Sequence, residues 1–315
     1  MSRSILVTGA TGKQGGAVID ALLKPPTSQA AEDSAPFDIL AVTRDPSSAS
    51  ATRLAAKSST IKLVKGDMDN VPALFESARA VSPNGQIWGV YSVQAVATSS
   101  AKPEDAPETK QGVAMVDEAV KAGVQTFVYS SVDRGGEERS WNNPTPVPHF
   151  KTKHLIEQHL RKAAGDKMGW TILRPVIFYD NLAPGFPTAM FLTYLRDKMG
   201  SKPMPWIATS DIGAFGAAAF RNPAKLNHRA LSLGGDVFTF DDMNKTFQKV
   251  TGKPAPTTFS FLTWPLGLVK DVRLMVNWFK DEGYKVNANE LREIHPGLLD
   301  FEGWLRKDSK FDKVN

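Results

Sequence analysis

Short apolar runs alternate with amphipathic stretches along the first half of the chain. The runs are almost uninterrupted, whereas the stretches between them repeat apolar residues at helical spacing. The predicted strands are Ser4–Thr8, Ile39–Thr43, Ile61–Val64, Trp88–Val93, Thr126–Ser130 and Trp170–Leu173, and the predicted helices are Gln14–Leu23, Ala49–Lys57, Val71–Ala80, Pro107–Ala122 and Phe150–Ala164. Apolar strands that alternate with helices are typical of a parallel sheet covered on both faces. The pattern therefore predicts an α/β fold of the Rossmann type, with a doubly wound parallel sheet.

The pattern changes after about Asp180, where proline, glycine and aromatic residues interrupt the apolar runs. The segments recognised there are Asp211–Phe220, a strand at Ala230–Leu233, and helices around Phe240–Val250 and Trp264–Phe279. A smaller α+β lobe of this kind fits over the carboxyl ends of the strands, where open α/β sheets bind ligands. We therefore expect a first domain over residues 1–178 and a C-terminal lobe for a substrate or partner over residues 179–315. The run Pro25–Pro36 is predicted to be an exposed loop.

Composition and charge exclude several kinds of chemistry. The 315 residues include no cysteine, which excludes disulfides, thiolate metal sites and cysteine nucleophiles. The 38 basic and 33 acidic residues give a net charge of +5, but they are scattered and form no basic track for nucleic acid. The residues before the first strand lead us to expect no targeting segment, and the longest apolar stretch, Phe259–Val269, is too short to span a bilayer. We expect a soluble cytoplasmic protein, with the nucleus as a second compartment, that binds neither membranes nor nucleic acid directly.

A glycine-rich loop follows the first predicted strand directly. It reads GATGKQGG over residues 9–16 and has the spacing G-x-x-G-x-x-G at the start of a helix. Gly9 allows the tight turn, Gly12 lets the backbone approach a pyrophosphate, and Gly15 lets helix and strand pack closely. The N–H groups at the helix N-terminus favour an anion. The loop therefore predicts a bound dinucleotide, and the alternative is a purely structural turn.

Charged residues after the second and third strands bear on the choice of cofactor. Arg44 stands where a dinucleotide fold meets the adenosine ribose, and an arginine suits a 2′-phosphate, whereas NAD sites tend to carry an acidic residue there. NADP(H) is therefore predicted; in the alternative, Arg44 is solvated and Asp45 binds the ribose. After the third strand, Asp67 and Met68 are predicted to line the adenine, and the alternative for Asp67 is a helix cap before Val71.

Motifs along nearly the whole chain carry a family resemblance. They read VTGATGKQGG, VTRDP, KGDMD, ETKQG at Glu108–Gly112, FVYSSV, HFKTKHLIEQHL, LRPVIFYDNL, TSDIGAFGAAAF and HPGLLDFEGWL. In this combination the chain resembles the NmrA-like family of atypical short-chain dehydrogenases, which includes fungal nitrogen-metabolite regulators and NADPH-sensing redox sensors. The resemblance implies a set of residues along bound NADP(H): Gly9, Thr11, Gly12, Lys13, Gln14, Arg44, Asp67, Met68, Lys110, Lys153 and Phe178.

The catalytic residues of ordinary short-chain dehydrogenases are only partly matched. Those enzymes use a serine after the fifth strand and a Tyr-x-x-x-Lys pair on the next helix. The tyrosine transfers a proton, and the lysine lowers the pKa of the tyrosine and holds the nicotinamide ribose. Ser130 and Ser131 end the fifth predicted strand here, but His149 stands in the tyrosine position, and Lys153 is retained one helical turn later.

The histidine at position 149 leaves two interpretations open. In the first, His149 donates a proton in a reductase together with Ser131 and Lys153, since the ordinary pKa of imidazole, about 6.5, is close to neutrality. In the second, the site binds cofactor without turnover and Lys153 only clamps the ribose, which is favoured because the resembled family mostly lacks the tyrosine. Tyr129 and Tyr179 are substitute donors, although Tyr129 lies in an apolar strand and is expected in the core.

The sequence argues against a metal site and leaves two functions. His149, His154 and His159 are spaced by five residues, so successive side chains rotate by about 140° around a helix and cannot converge on one ion. The favoured function is an NADP(H)-binding regulator that reads the NADPH/NADP⁺ state and acts through a protein partner. The alternative is an NADPH-dependent reductase of a small carbonyl, quinone or enone, so whether the chain is an enzyme stays open.

Overall fold

A parallel sheet of seven strands organises the fold. The computed structural model describes residues 3–25, 36–96 and 102–314. The strands are β1 (Arg3–Val7), β2 (Phe37–Thr43), β3 (Ile61–Lys65), β4 (Gly89–Ser92), β5 (Thr126–Ser130), β6 (Gly169–Pro175), β7 (Ile177–Phe178), β8 (Met204–Ile207), β9 (Arg229–Leu233) and β10 (Asp236–Phe238). The large sheet has the order β3-β2-β1-β4-β5-β6-β9, with parallel registers from β3 to β6. The order reverses between β1 and β4, and open α/β sheets bind ligands at such a switch point.

Helices follow most strands of the large sheet. They are α1 (Lys13–Leu23), α2 (Ala49–Ala55), α3 (Val71–Val81), α4 (Pro107–Lys121), α5 (Glu137–Ser140), α6 (Pro148–Ala164), α7 (Phe186–Met199), α8 (Thr209–Arg221), α9 (Pro223–Leu226), α10 (Phe240–Thr251), α11 (Trp264–Leu268), α12 (Lys270–Asp281), α13 (Ala288–Ile294) and α14 (Phe301–Lys307). Strands β4 and β5 are buried along their whole length, as expected for strands covered on both faces. The predicted Rossmann-type fold is confirmed.

Contacts divide the chain into two compact units that are not contiguous in sequence. The first unit consists of Met1–Ser131, Thr152–Arg174 and Ile212–Leu231, and the second consists of Val132–Lys151, Pro175–Asp211 and Ser232–Asn315. The division expected from the sequence is a single cut after residue 178. The two divisions differ because the chain passes between the units several times, and a change of local composition marks only one of these passages.

The second unit is built around a small mixed sheet and an aromatic core. Its three strands have the order β10-β8-β7, with β8 antiparallel to β10 and parallel to β7. The buried ring of Tyr179 lies 6.1 Å from the ring of Trp206 and 5.4 Å from that of Trp304. The predicted helix Phe240–Val250 is present as α10. The smaller C-terminal α+β element of the predicted fold is therefore confirmed.

One predicted helix, Trp264–Phe279, is wrong as a single element. Two helices, α11 and α12, occupy this stretch, and the chain between them is extended at Val269, with φ −71° and ψ 108°. Gly267 has a low helix propensity and Val269 is β-branched, so the helix is weak where it breaks. The loop predicted over Pro25–Pro36 lies almost entirely outside the described residues.

Two further properties concern residues 3–25, 36–96 and 102–314. No helix in these ranges combines the length and apolar character that crossing a membrane requires. Among the same residues, no three histidine, aspartate or glutamate side chains are grouped so that they could hold a metal ion together.

Candidate dinucleotide-binding site

The glycine loop between β1 and α1 has the backbone geometry of a cradle. Gly9 has φ +58°, in the left-handed region that favours glycine, and its carbonyl accepts a hydrogen bond from Gly12 N at 2.9 Å. A Cβ atom on Gly15 would lie 2.3 Å from the Gly9 carbonyl oxygen, so no side chain fits there. Gly12 is the N-cap of α1, no side chain caps that helix, and its first turn carries no acidic residue. The first amides of α1 therefore suit an anionic ligand such as a pyrophosphate.

The side chains of this loop divide into two groups. Thr11 and Lys13 are exposed beside the exposed Gly12. Gln14, by contrast, accepts a hydrogen bond at its Oε1 from Ser130 Oγ at 2.6 Å, which ties the helix start to the end of β5. Of the two serines that end β5, Ser130 thus supports the loop, although the sequence indicated no such role for it.

Two basic side chains stand beside one hollow at the ends of β2 and β3. Arg44 follows β2 directly and Lys65 ends β3, where it is paired in register with Thr43. The hollow has a volume of about 380 Å³ and is lined by Arg44, Lys65, Gly66, Asp67, Asn70, Ala73, Leu74 and Ser77. Both basic residues are exposed. Sequence reasoning missed Lys65, although its place at the end of the third strand is equivalent to that of Arg44 at the second.

The acidic residues near this hollow are engaged locally. Asp45 Oδ1 accepts hydrogen bonds from Ser47 N at 2.9 Å and Ser47 Oγ at 2.6 Å, and these bonds hold the pKa of Asp45 below its usual value. Asp67 Oδ1 accepts from Asp69 N at 3.1 Å and so caps a short 3₁₀ turn. The cap of α3 is Asn70, whose side chain accepts from Ala73 N. Asp67 therefore combines a place in the hollow with a capping role, but for the turn rather than for α3.

The start of α4 places two of its charged residues in opposite environments. Lys110, which the resemblance puts along the cofactor, is exposed and pairs with Asp105 at 3.8 Å, where both side chains are 66% exposed. Glu108, two residues earlier, is completely buried. Its Oε1 lies 2.9 Å from Lys153 Nζ, and its Oε2 accepts a hydrogen bond from Thr152 Oγ1 at 2.7 Å. Sequence reasoning missed Glu108, since an acidic residue in the first turn of a helix usually faces solvent.

A second buried charge cluster surrounds the serine expected in catalysis. Ser131 is 3% exposed, and its hydroxyl donates a hydrogen bond to Glu157 Oε1. Arg174 donates to both oxygens of the same carboxylate, from Nε at 3.1 Å and from a terminal nitrogen at 2.8 Å. The side chains of Glu157 and Arg174 are both completely buried. The Ser131 proton is thus directed at a buried carboxylate.

The remaining predicted residues lie on several elements. His149 is in the first turn of α6, half-buried, and its ring centroid lies 4.7 Å from that of Phe150 in an edge-on contact. Phe178 lies in β7 and is paired in register with Ile207 of the small sheet. Tyr129 and Tyr179 are completely buried. Burial raises the pKa of Tyr179 well above its usual value, which makes Tyr179 a poor proton donor.

The site geometry can be compared with known proteins. The sequence profile of the NmrA-like family matches residues 1–305. The chain belongs to the NmrA-like family. Among its curated relatives is the NmrA-like family domain-containing oxidoreductase hkm9 of Aspergillus hancockii. It is 29% identical over an alignment of 295 positions, which covers 87% of this chain and 82% of hkm9.

Solved structures show the same fold as this NmrA-like chain. The triphenylmethane reductase of Citrobacter sp., complexed with NADP(H), matches with a TM-score of 0.68 at 16% identity over 98% of this chain and 99% of the reductase chain. NmrA, a negative transcriptional regulator in complex with NADP, matches with a TM-score of 0.67 at 18% identity over 98% of this chain and 95% of that chain. At these identities the likeness concerns the fold alone.

Proposed function

We propose that this NmrA-like protein binds NADP(H) and reports the NADPH/NADP⁺ state to a protein partner in the cytosol or nucleus, without turning the cofactor over. The observation that carries the proposal is the state of Ser131, whose buried hydroxyl donates to the Glu157 carboxylate. The tyrosine position is occupied by His149. These two features support a site that would hold a cofactor through Lys153 but would lack the usual groups for passing a proton to a substrate.

Three features support NADP(H) as the ligand. The loop from Gly9 to Gly15 leaves backbone amides for a pyrophosphate. Arg44 and Lys65 bring two positive charges to one hollow, which suits a 2′-phosphate better than a ribose hydroxyl. Lys153 offers a buried ammonium for the hydroxyls of the nicotinamide ribose. Two proteins of the same fold, described above, were solved with NADP(H) or NADP.

The second candidate function is an NADPH-dependent reductase of a small carbonyl, quinone or enone. Its support is that hkm9 is named an oxidoreductase. In such an enzyme the half-buried His149 would donate the proton, with Lys153 holding the cofactor. The two candidates share their cofactor and differ in whether a substrate is reduced.

Calorimetry and a turnover assay separate the two candidates. For a regulator, Lys153→Ala weakens NADP(H) binding and His149→Ala leaves it nearly unchanged, while NADPH consumption with quinones, aldehydes and enones stays at background. A reductase would consume NADPH with one of these substrates, and His149→Ala would lower turnover by roughly 10²–10⁴-fold with little effect on cofactor affinity. His159→Ala is a matched control, because His159 lies on the same helix and contacts Asp117 on an exposed face.

A further inference from the structure

The ammonium of Lys153 is held by a carboxylate from another helix. Lys153 is 7% exposed, and its Nζ lies 2.9 Å from Oε1 of the completely buried Glu108. The ammonium and the carboxylate form an ion pair, but their atoms are not aligned for a hydrogen bond. The other oxygen of Glu108 accepts from Thr152 Oγ1 at 2.7 Å. Neighbouring residues of α6 therefore contact both oxygens of one carboxylate, which fixes the orientation of its carboxyl plane.

Close packing of α4 against α6 brings Glu108 within reach. Gly112 lies one turn after Glu108 on α4, and a Cβ atom there would come within 2.4 Å of Ile156 Cδ1 on α6. A side chain at 112 would therefore force Ile156, or the helix that carries it, to move. The absence of a side chain at 112 thus leaves room for Ile156 of α6 beside α4, on the turn that follows Glu108.

The backbone of α6 is anchored independently of Glu108. One turn after Lys153, the Glu157 carboxylate is held by Arg174 and Ser131, all three nearly or completely buried. This anchor leaves Lys153 little freedom to move with its helix. The Lys153 side chain is flexible, and the charge that it faces is the Glu108 carboxylate. Glu108 therefore determines the direction of the Lys153 side chain.

We propose that Glu108 is a positioning residue, which holds the Lys153 ammonium in place for the hydroxyls of the nicotinamide ribose. The inference rests on the proposed binding of NADP(H). Without the carboxylate, the ammonium would be buried beside no counter-charge, and its side chain would turn toward water. The cofactor would then have to reorder Lys153 on binding, and that cost would appear as lost affinity.

Two ligands of different length test this role. NADP⁺ reaches Lys153 with its nicotinamide ribose, whereas adenosine 2′,5′-bisphosphate ends before it and contacts only the adenosine end. In Glu108→Gln, the affinity for NADP⁺ should fall about tenfold, the size of one charge-assisted contact, while the affinity for the bisphosphate stays unchanged. Lys153→Ala should show the same pattern, and adding Glu108→Gln to it should cause no further loss, because Glu108 acts through Lys153.

Two additional variants separate positioning from fold stability. Glu118→Gln makes the same change on α4, where Glu118 pairs with the exposed Lys121, and should leave both ligands unaffected. Thr152→Val removes one contact of Glu108 while keeping the charges, and should weaken NADP⁺ alone by a smaller factor.

The outcomes that overturn the inference are distinct. Equal loss of both ligands in Glu108→Gln, or no loss of either, would show that Glu108 does not position Lys153. Wild-type protein that binds neither ligand would overturn the proposed function, and this inference with it.

Discussion

The two ends of the candidate site differ in the burial of their basic side chains. At the adenosine end, Arg44 and Lys65 are exposed and stand beside an open hollow. At the ribose end, Lys153 is buried and already paired within the protein. An exposed charged side chain stays hydrated and changes the free energy of unfolding little, but salt screens its attraction for a ligand. A buried charge needs a partner for the fold itself, so its removal affects stability as well as binding.

The adenosine end is expected to set cofactor specificity, and the ribose end is expected to set the geometry of binding. We expect the exposed charges at the adenosine end to discriminate a phosphate from a hydroxyl and to be replaceable with little effect on the fold. Buried pairs at the ribose end fix the position of one ammonium. Four substitutions test this difference between exposed and buried charge.

The largest effect is expected at the buried cluster behind the ribose end. Arg174→Met removes the guanidinium that bonds both oxygens of the buried Glu157 carboxylate, which should cost about 3–5 kcal/mol of the free energy of unfolding, measured by urea denaturation. Arg306→Met is the matched control, because the Arg306 side chain is 48% exposed and its pair with Glu302 lies on the surface. The control should cost less than about 1 kcal/mol. Similar losses in the two variants would contradict the contrast between buried and exposed charge.

The next effect is expected at the glycine loop. Gly12→Val places a branched side chain where a pyrophosphate would approach, so NADPH affinity should fall at least about a hundredfold, or roughly 2.7 kcal/mol. A Cβ atom on Gly12 would lie 3.2 Å from the Gly9 carbonyl oxygen, a tight contact that requires a shift of only a few tenths of an ångström. The variant should therefore stay folded by circular dichroism. A folded variant with normal NADPH binding would place the cofactor elsewhere.

A smaller effect is expected at the adenosine end. The wild-type protein should bind NADPH at least about tenfold more tightly than NADH, a difference of roughly 1.4 kcal/mol, and Arg44→Ala should remove most of that preference. Calorimetry at two salt concentrations should show the preference shrinking at high salt, because the charges are exposed. Lys62→Ala, an exposed lysine of β3 that bonds the Ser59 carbonyl, is the control. Equal wild-type affinities for the two cofactors would contradict the assignment.

The smallest effect is expected at Lys110. Its ion pair with Asp105 is long and exposed, so Lys110→Ala should change the free energy of unfolding by less than about 0.5 kcal/mol. NADPH affinity measured on the same variant tests the place that the resemblance gives this residue. A clear loss of affinity at unchanged stability would put Lys110 along the cofactor, whereas unchanged affinity would remove it from the site.

The fold could be predicted from the sequence more completely than the site. The strands β1 to β6 follow from local apolar runs, and the glycine loop follows from spacing that a turn and a close approach require. The pairing of Glu108 with Lys153 could not be predicted, because the sequence pattern of a helix does not distinguish a buried charged residue from an exposed one. Only contacts between residues far apart in sequence distinguish them, and Glu108 and Thr152 are separated by 44 positions.

The bonds within the turn after β2 limit how the cofactor preference of this chain can change. A site for NADH needs a carboxylate that is free to accept from the ribose hydroxyls. Asp45 is adjacent to Arg44, but its Oδ1 is already used by the amide and hydroxyl of Ser47. Loss of Arg44 alone would therefore produce a less selective protein rather than an NADH-specific one. An NADH-specific site would in addition need a carboxylate directed at the ribose hydroxyls, which the loss of Arg44 does not itself supply.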